Sequence, residues 1–265
     1  MIKRIFLICF FSFIFLISGR AQFTYGTTGL LNMPTADMQR ENTFLFGGSY
    51  LHDQATPKHF SYNTFNYYLN LTVFPWLEVA YIATLHKGVP GNYWPEHTWG
   101  KFTNQDRQFA ARLRLWKEGR GKAWMPQIVL GVNDVGTHEY AGGGDIVSVG
   151  ETGNGYWQRF YLAATKHIGF QGIGTLGVHA AYVYNKRKDY HLNGPAVGAN
   201  FQLGLPADNA WHKLLNGLNL MGEYDARTIN VGASYAIWKE YINVIAEMTE
   251  GKYFSGGVFF RVHLK

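Results

Sequence analysis

Charged and imidazole side chains recur at alternate positions within otherwise apolar stretches of the chain. Eight of them could line a channel or a polar track for a sugar chain: Glu78, Arg112, Arg114, Arg159, His179, Glu223, Glu247 and Arg261. The same charges could instead pair with one another across a narrow barrel, because an unpaired charge in a confined lumen is costly. Both interpretations place these side chains on the inner wall of a barrel.

Four aromatic residues of one predicted loop, residues 87–104, could contact a sugar: Tyr93, Trp94, Trp99 and Phe102. Exposed rings can stack on sugar faces while their polar edges stay hydrated. The alternative is that these rings fold the loop over the barrel mouth or belong to an interfacial aromatic belt.

Residue types used in catalysis and metal binding are present, but their spacing fits neither role. The stretch Gly232-Ala233-Ser234-Tyr235-Ala236 lacks the second glycine of a nucleophile elbow and lies within a predicted strand. His52-Asp53 and His138-Glu139 lie in predicted outward loops without metal-ligand spacing. Residues 142–144, three glycines, lack the lysine and serine of a phosphate loop. We therefore predict no enzyme activity, catalytic residue, cofactor or metal site.

A hairpin over residues 62–85 shows the element that would carry these side chains. Its first arm alternates apolar Phe65, Tyr67, Leu69, Leu71 and Val73 with Asn66, Tyr68, Asn70 and Thr72. This two-residue period is typical of a strand with one apolar and one polar face. Pro75 cannot donate to a ladder, so it marks the turn. Each arm has roughly ten residues, the length of a tilted membrane-crossing strand.

The alternation recurs and predicts twelve strands: residues 42–52, 65–73, 77–86, 107–116, 127–133, 156–166, 173–185, 196–205, 218–224, 229–237, 242–248 and 254–264. An even number suits an antiparallel transmembrane β-barrel, with short turns at one end and the long loops 87–104 and 134–155 at the other. Residues 206–217 are a longer insertion on the short-turn side, where Asp208 or Asn209 could cap a helix through Leu215.

Aromatic residues are predicted to form two girdles, one at each end of the barrel. One would hold Trp76, Trp116, Trp124 and Trp238, and the opposite one Trp157, Tyr184 and Tyr253. Two such girdles suit a barrel in a bilayer and not a soluble β-sandwich.

The N-terminus predicts export. Residues 1–21 read as a signal peptide, because Lys3 and Arg4 precede a short apolar run and Ala21 fits a cleavage site. Cys9 would leave with it, so we expect no disulfide in the mature chain. Residues 22–41 show little alternation and are predicted to be a lead-in or plug segment before a barrel over residues 42–265. The predicted location is the cell outer membrane.

The charge balance argues against nucleic acid as a partner. Removing residues 1–21 leaves 21 of the 24 basic residues against 18 acidic ones, which lowers the formal charge from +6 to +3. A nucleic-acid site usually needs a clustered basic patch. Aromatic residues are abundant at 17% and charged ones few at 16%, as expected for a chain whose partner is membrane lipid.

Three stretches in order resemble the YjbH family of exopolysaccharide-associated outer-membrane proteins. They are residues 29–36 (GLLNMPTA), residues 73–78 (VFPWLE), and residues 126–137 (PQIVLGVNDVGT) followed by residues 161–166 (YLAATK). The chain departs from the family where Phe160 replaces the usual acid, and it lacks the lipid-attachment cysteine of some members.

The resemblance implies an outer-membrane β-barrel tied to the production, export or surface retention of extracellular polysaccharide. Polysaccharide and periplasmic export or assembly proteins are then the expected partners. Three other functions stay open on the sequence. They are a general diffusion pore, an outer-membrane hydrolase, and an assembly protein with a plugged lumen and an interaction surface on residues 206–217.

Overall fold

The computed structural model describes residues 24–58, 60–90, 95–134, 156–185 and 192–264. The predicted signal peptide and its cleavage site lie outside these ranges. The described strands are β1 (Thr43–Leu51), β2 (Thr64–Phe74), β3 (Leu77–Lys87), β4 (Phe102–Trp116), β5 (Gln127–Asn133), β6 (Arg159–Phe170), β7 (Gly174–Tyr184), β8 (Gly194–Leu203), β9 (Leu218–Tyr224), β10 (Ile229–Trp238), β11 (Ile242–Thr249) and β12 (Tyr253–His263).

The strands form one closed barrel. Each strand pairs antiparallel with its neighbour in sequence, and β1 pairs with β12 from Thr43–His263 to Tyr50–Gly256. Closure leaves no strand edge free to pair with another chain. The prediction of an all-β, antiparallel barrel of about twelve strands is confirmed.

The inner wall of the barrel carries polar side chains together with buried apolar ones such as Leu45 and Phe259, whereas the outer wall is mainly apolar. In β2 the inward Asn66, Asn70 and Thr72 are buried, while the outward Phe65 and Leu69 are exposed. A soluble β domain would bury the apolar set. The two-residue period therefore sets which side chains enter the lumen.

The two ends of the barrel differ in their connections. The short-turn end carries the connections that follow β2, β4, β6, β8 and β10, and the long-loop end carries the others. Register shifts interrupt the ladder beside three of the short-turn connections, at Thr72/Phe74, Arg114/Trp116 and Ala236/Trp238. Such bulges increase local twist where the chain reverses.

One helix, α1 (Ala210–Leu215), lies in the connection between β8 and β9. Asn209 caps it, its side chain accepting a 2.8 Å hydrogen bond from the backbone N–H of His212. This is the helix predicted for residues 206–217. The described part of the long-loop end also contains two 3-10 turns, Asp53–Ala55 and Glu96–Thr98. Within the described ranges, no helix combines the length and apolar character needed to cross a membrane.

The strand boundaries differ from prediction most at β4. It begins at Phe102 and not at Arg107, because Gln105 and Asp106 continue the ladder opposite Leu85 and Thr84. The polar run at residues 103–106 hides the strand period. Phe102 is therefore a strand residue, and the prediction that it belongs to a loop is wrong.

Trp157 is not part of an outer girdle. The side chain is fully buried inside the barrel mouth, with its ring 5.7 Å from Tyr25 and 5.6 Å from Phe60. Phe60 in turn stacks against His86 at 4.5 Å. The prediction failed because the chain turns inward just before β6 begins. These rings form an aromatic layer across the long-loop end of the lumen.

Candidate functional site

The lumen is occupied by residues 24–38 of the chain itself, called the plug below. Its apolar side chains are buried: Tyr25, Leu30, Leu31, Met33 and Ala36. Gly29 and Pro34 form an isolated antiparallel bridge, and Leu30 N–H donates to Met33 C=O at 3.3 Å. The plug therefore enters as a tight hairpin whose tip is residues 30–33.

Glu223 of β9 binds the tip of this hairpin. Its carboxylate accepts backbone hydrogen bonds from Leu31 at 3.0 Å, Asn32 at 2.7 Å and Met33 at 3.1 Å. Asn230 donates to the same carboxylate at 3.3 Å. Successive N–H groups of a turn form a concave site for an anion, and here a side chain of the wall fills it.

Glu247 of β11 and two wall glycines also help to hold the hairpin tip. The Asn32 amide donates to the Glu247 carboxylate at 2.6 Å. A Cβ at Gly198 would lie 2.7 Å from atoms of both Leu30 and Met33, and one at Gly232 would lie 2.7 Å from Leu31. The absent side chains at these two positions leave the space that the tip occupies.

A second binding point joins Glu78 of β3 to the plug and to Arg112 of β4. The Glu78 carboxylate accepts from the Thr28 backbone and hydroxyl, both at 2.7 Å, and from Asn70 at 2.8 Å. It also pairs with Arg112 at 2.8 Å, and both side chains are fully buried. Opposite charges thus pair inside the lumen, and the pair carries the plug.

Two buried arginines, Arg112 and Arg159, hold plug carbonyl groups. Arg112 donates to Thr35 C=O at 2.5 Å and to Asp37 C=O at 2.8 Å. Arg159 of β6 donates to Asn32 C=O at 2.9 Å, and its guanidinium lies 3.3 Å from the centre of the Tyr25 ring. Wall acids therefore bind plug N–H groups, and wall arginines bind plug carbonyls.

Four ionisable groups hold the end of the plug at the short-turn end. Glu118 of the β4–β5 turn pairs with Lys166 and with His167 Nδ1, each at 2.7 Å. His167 Nε2 lies 3.3 Å from Asp37 of the plug. Burial alone would raise the pKa of the Glu118 carboxyl, but hydrogen bonds from His167 and Lys166 outweigh it and hold that pKa at about 2.

His179 has the partners of a nucleophile–histidine–amide relay but lacks access to a substrate. Its Nδ1 lies 2.9 Å from the Thr165 hydroxyl and its Nε2 lies 2.8 Å from the Asn200 carbonyl oxygen. All three residues are buried, and the Thr165 hydroxyl also accepts from Ala36 N–H of the plug at 2.8 Å. This arrangement positions the plug.

Two further predicted lining residues lie toward the short-turn end of the barrel. Arg261 of β12 lies 3.8 Å from Glu240, and Arg114 lies half-buried at the short-turn end of β4. The predicted lining residues that bond directly to the plug include Glu78, Arg112, Arg159, Glu223 and Glu247. Among the described residues, no group of three His, Cys, Asp or Glu side chains is arranged to hold a metal ion.

The predicted sugar-contact residues are only partly described, since Tyr93 and Trp94 lie outside the described residues. Trp99 and Phe102 are partly exposed at the long-loop end. The Phe102 ring lies 5.9 Å from Phe65, and Lys87 Nζ lies 4.8 Å from its centre. Phe102 thus packs on the outer wall near the rim.

The contacts of Glu223 and Glu247 were not anticipated, although the sequence carries a signal for them. Glu223 has only Gly198 and Asn230 as cross-strand neighbours, and Glu247 has Gly232 and Ser255. An inward acid beside an inward glycine, with no cation opposite, requires a partner from within the lumen.

The plug and strands β1 to β7 lie in a stretch that matches a known family. Residues 21–191 match the YjbH model, described as exopolysaccharide biosynthesis protein YbjH. The Escherichia coli (strain K12) protein described as uncharacterized lipoprotein YjbH is 29% identical over 157 residues, which cover 57% of this chain and 17% of that protein. The crystal structure of Neisserial surface protein A (NspA) aligns over 84% of this chain and 98% of NspA, at 10% identity and a TM-score of 0.20.

Proposed function

Because the chain belongs to the YjbH family, we propose that it is an outer-membrane barrel acting in the production, export or surface retention of extracellular polysaccharide. We propose further that it acts without catalysis, as a plugged scaffold. The chain spans 17% of the curated relative that it matches, so this role is proposed for the barrel and its plug.

The outer wall of the barrel supports the membrane location. Its outward side chains form an exposed apolar surface that continues around the barrel, for example Leu69 on β2, Leu130 on β5, Leu162 on β6, Val197 on β8 and Val231 on β10. Such a surface would be costly in water but suits the hydrocarbon layer of a bilayer.

The observation that carries the scaffold role is the docking of the plug. Wall carboxylates and guanidinium groups bind its backbone at Leu31, Asn32, Met33 and Thr35. A general pore needs a hydrated lumen, and here the lumen is filled by a segment held at several points. A hydrolase needs an accessible nucleophile, whereas the hydroxyl of Thr165 beside His179 is buried under the plug.

Deletion and complementation in the native host test the proposed role. Cells lacking the protein should lose or redistribute surface polysaccharide, and the wild-type chain should restore it. Entry of a small hydrophilic dye should stay unchanged, since the plugged barrel is not expected to admit it. Normal polysaccharide together with reduced dye entry in the deletion strain would overturn the proposal in favour of a general pore.

A further inference from the structure

Helix α1 presents an apolar face to its surroundings. Trp211, Leu214 and Leu215 are 74%, 51% and 39% exposed. At about 100° per residue, these three positions fall within an arc of about 100°, and Lys213 lies on the opposite side of the helix. The helix is therefore amphipathic, with its apolar side uncovered.

The insertion that carries α1 is fixed to the barrel wall. The Asn216 side chain bonds both the N–H of Leu205 at 2.6 Å and its C=O at 2.8 Å. Tyr235, in phase with the outward residues of β10, donates its hydroxyl to Leu214 C=O at 2.9 Å. These bonds hold α1 beside the outer wall at the short-turn end.

The apolar face of α1 lies at the same end of the barrel as exposed apolar side chains of the outer wall. Exposed Ile237 and Trp238 lie at the same end, and the Trp238 ring is 5.4 Å from that of Tyr241. On the β4–β5 turn of the same rim, Arg120 lies 5.3 Å from the Trp116 ring centre. Trp and Tyr rings beside cations are typical of the bilayer interface, where rings lie at the headgroup level.

We propose that α1 is an interfacial anchor, with Trp211, Leu214 and Leu215 in the phospholipid headgroup layer of the leaflet at the short-turn end. The partner is lipid and not a protein, because the exposed face lies beside the apolar wall and its Trp-rich rim. This inference rests on the proposed membrane location. Residues 206–217 lie outside the stretch that matches the family.

Two single-cysteine labels on the full mature chain test this placement. Leu214→Cys and Lys213→Cys, each carrying an environment-sensitive fluorophore, are inserted in phosphatidylethanolamine–phosphatidylglycerol vesicles. The label at residue 214 should be quenched by lipids with a nitroxide near the headgroup and be several-fold less sensitive to aqueous iodide than the label at residue 213. A heat-modifiable gel shift confirms in each sample that the barrel has formed.

Each other outcome overturns the anchor. Equal iodide quenching at both positions would show that α1 lies in water. Its apolar face would then be available to bind another protein and not lipid. Protection of residue 214 that disappears when the protein is diluted in lipid would assign the face to contact between copies of this chain. If no gel shift appears and the protein stays soluble, the membrane location itself is wrong.

Discussion

Glu78 joins a buried charge pair to the plug. Its carboxylate meets Arg112, Asn70 and the plug residue Thr28. Removing one member of a buried charge pair leaves the other without compensation, at a cost of about 3–5 kcal/mol. Glu78→Gln should therefore lower the free energy of unfolding by this order, as measured by urea unfolding in lipid vesicles.

Glu41 offers a matched control for this substitution, since it is exposed at the short-turn end. Glu41→Gln should change the free energy of unfolding by less than about 0.5 kcal/mol. Equal small effects of the two substitutions would show that the Glu78–Arg112 pair does not stabilise the folded barrel.

Glu118 makes part of the stability depend on pH. Its folded-state pKa of about 2 lies below the ordinary value of 4.5, because Lys166 and His167, the latter also facing Asp37, favour the carboxylate. A lowered pKa gives stability that is present above the unfolded-state pKa and is lost as the pH falls through the folded-state pKa. The stability advantage of the wild type over Glu118→Gln should shrink as the pH falls from about 4.5 to about 2.

Urea unfolding across this pH range measures the effect. Glu96, an exposed acid at the long-loop end, provides the control, and Glu96→Gln should follow the wild type at every pH. If the difference in free energy of unfolding between the wild type and Glu118→Gln stays constant with pH, the carboxylate does not have the proposed role.

Inward position was predictable from the sequence, but the hydrogen-bond partners of the inward residues were not. The two-residue period alone places Glu78, Arg112 and Glu223 inside the barrel. Their partners on the plug are separated from them by many residues: Glu223 binds Asn32, 191 positions away. A local period carries no information on such distant contacts, and the plug residues lack a period of their own.

Glycines of the barrel wall leave the space in which the plug packs. Gly198 leaves the space for Leu30 and Met33, whereas Gly222 faces outward with nothing within 4 Å of an added Cβ. Gly198→Ala should displace the hairpin tip, while Gly222→Ala should not, although both add one methyl group to a strand.

Hydrogen exchange at the plug amides measures this difference. Leu31, Asn32 and Met33 should exchange faster in Gly198→Ala than in the wild type, because their bonds to Glu223 lengthen or break. Unchanged protection in Gly198→Ala, or an equal loss of protection in Gly222→Ala, would show that the tip does not depend on this space.

The sequence predicts which segments form strands. It does not predict where a strand ends if polar residues continue the strand to the rim of the barrel. β4 continues through Asn104 and Gln105, whose side chains give no apolar alternation, so the sequence predicts a start at Arg107. Position along the chain alone predicts that Trp157 belongs to the outer girdle, but the chain turns inward there to cover Tyr25. Tertiary contacts decide both cases.

For the molecule as a whole, the plug should determine whether the barrel conducts ions. A barrel of about twelve strands encloses a space that side chains and a short segment can fill, and emptying it should leave a water-filled passage. The wild-type protein in planar bilayers should therefore show little conductance, while a variant lacking residues 24–38 should show a steady one. Glu223, which binds three plug N–H groups, would then face the passage and favour cations over anions.

A heat-modifiable gel shift shows for each variant that the barrel is folded. A lack of conductance caused by misfolding is then not mistaken for closure by the plug. Glu223→Gln in the plug-deleted background should keep the conductance and lower its preference for cations, since the removed charge lies on the wall and not in the plug. If the wild type conducts as well as the deletion variant, the plug does not close the lumen and the scaffold role loses its support. A conductance that appears only without the plug would show that the chain carries its own closure in residues 24–38.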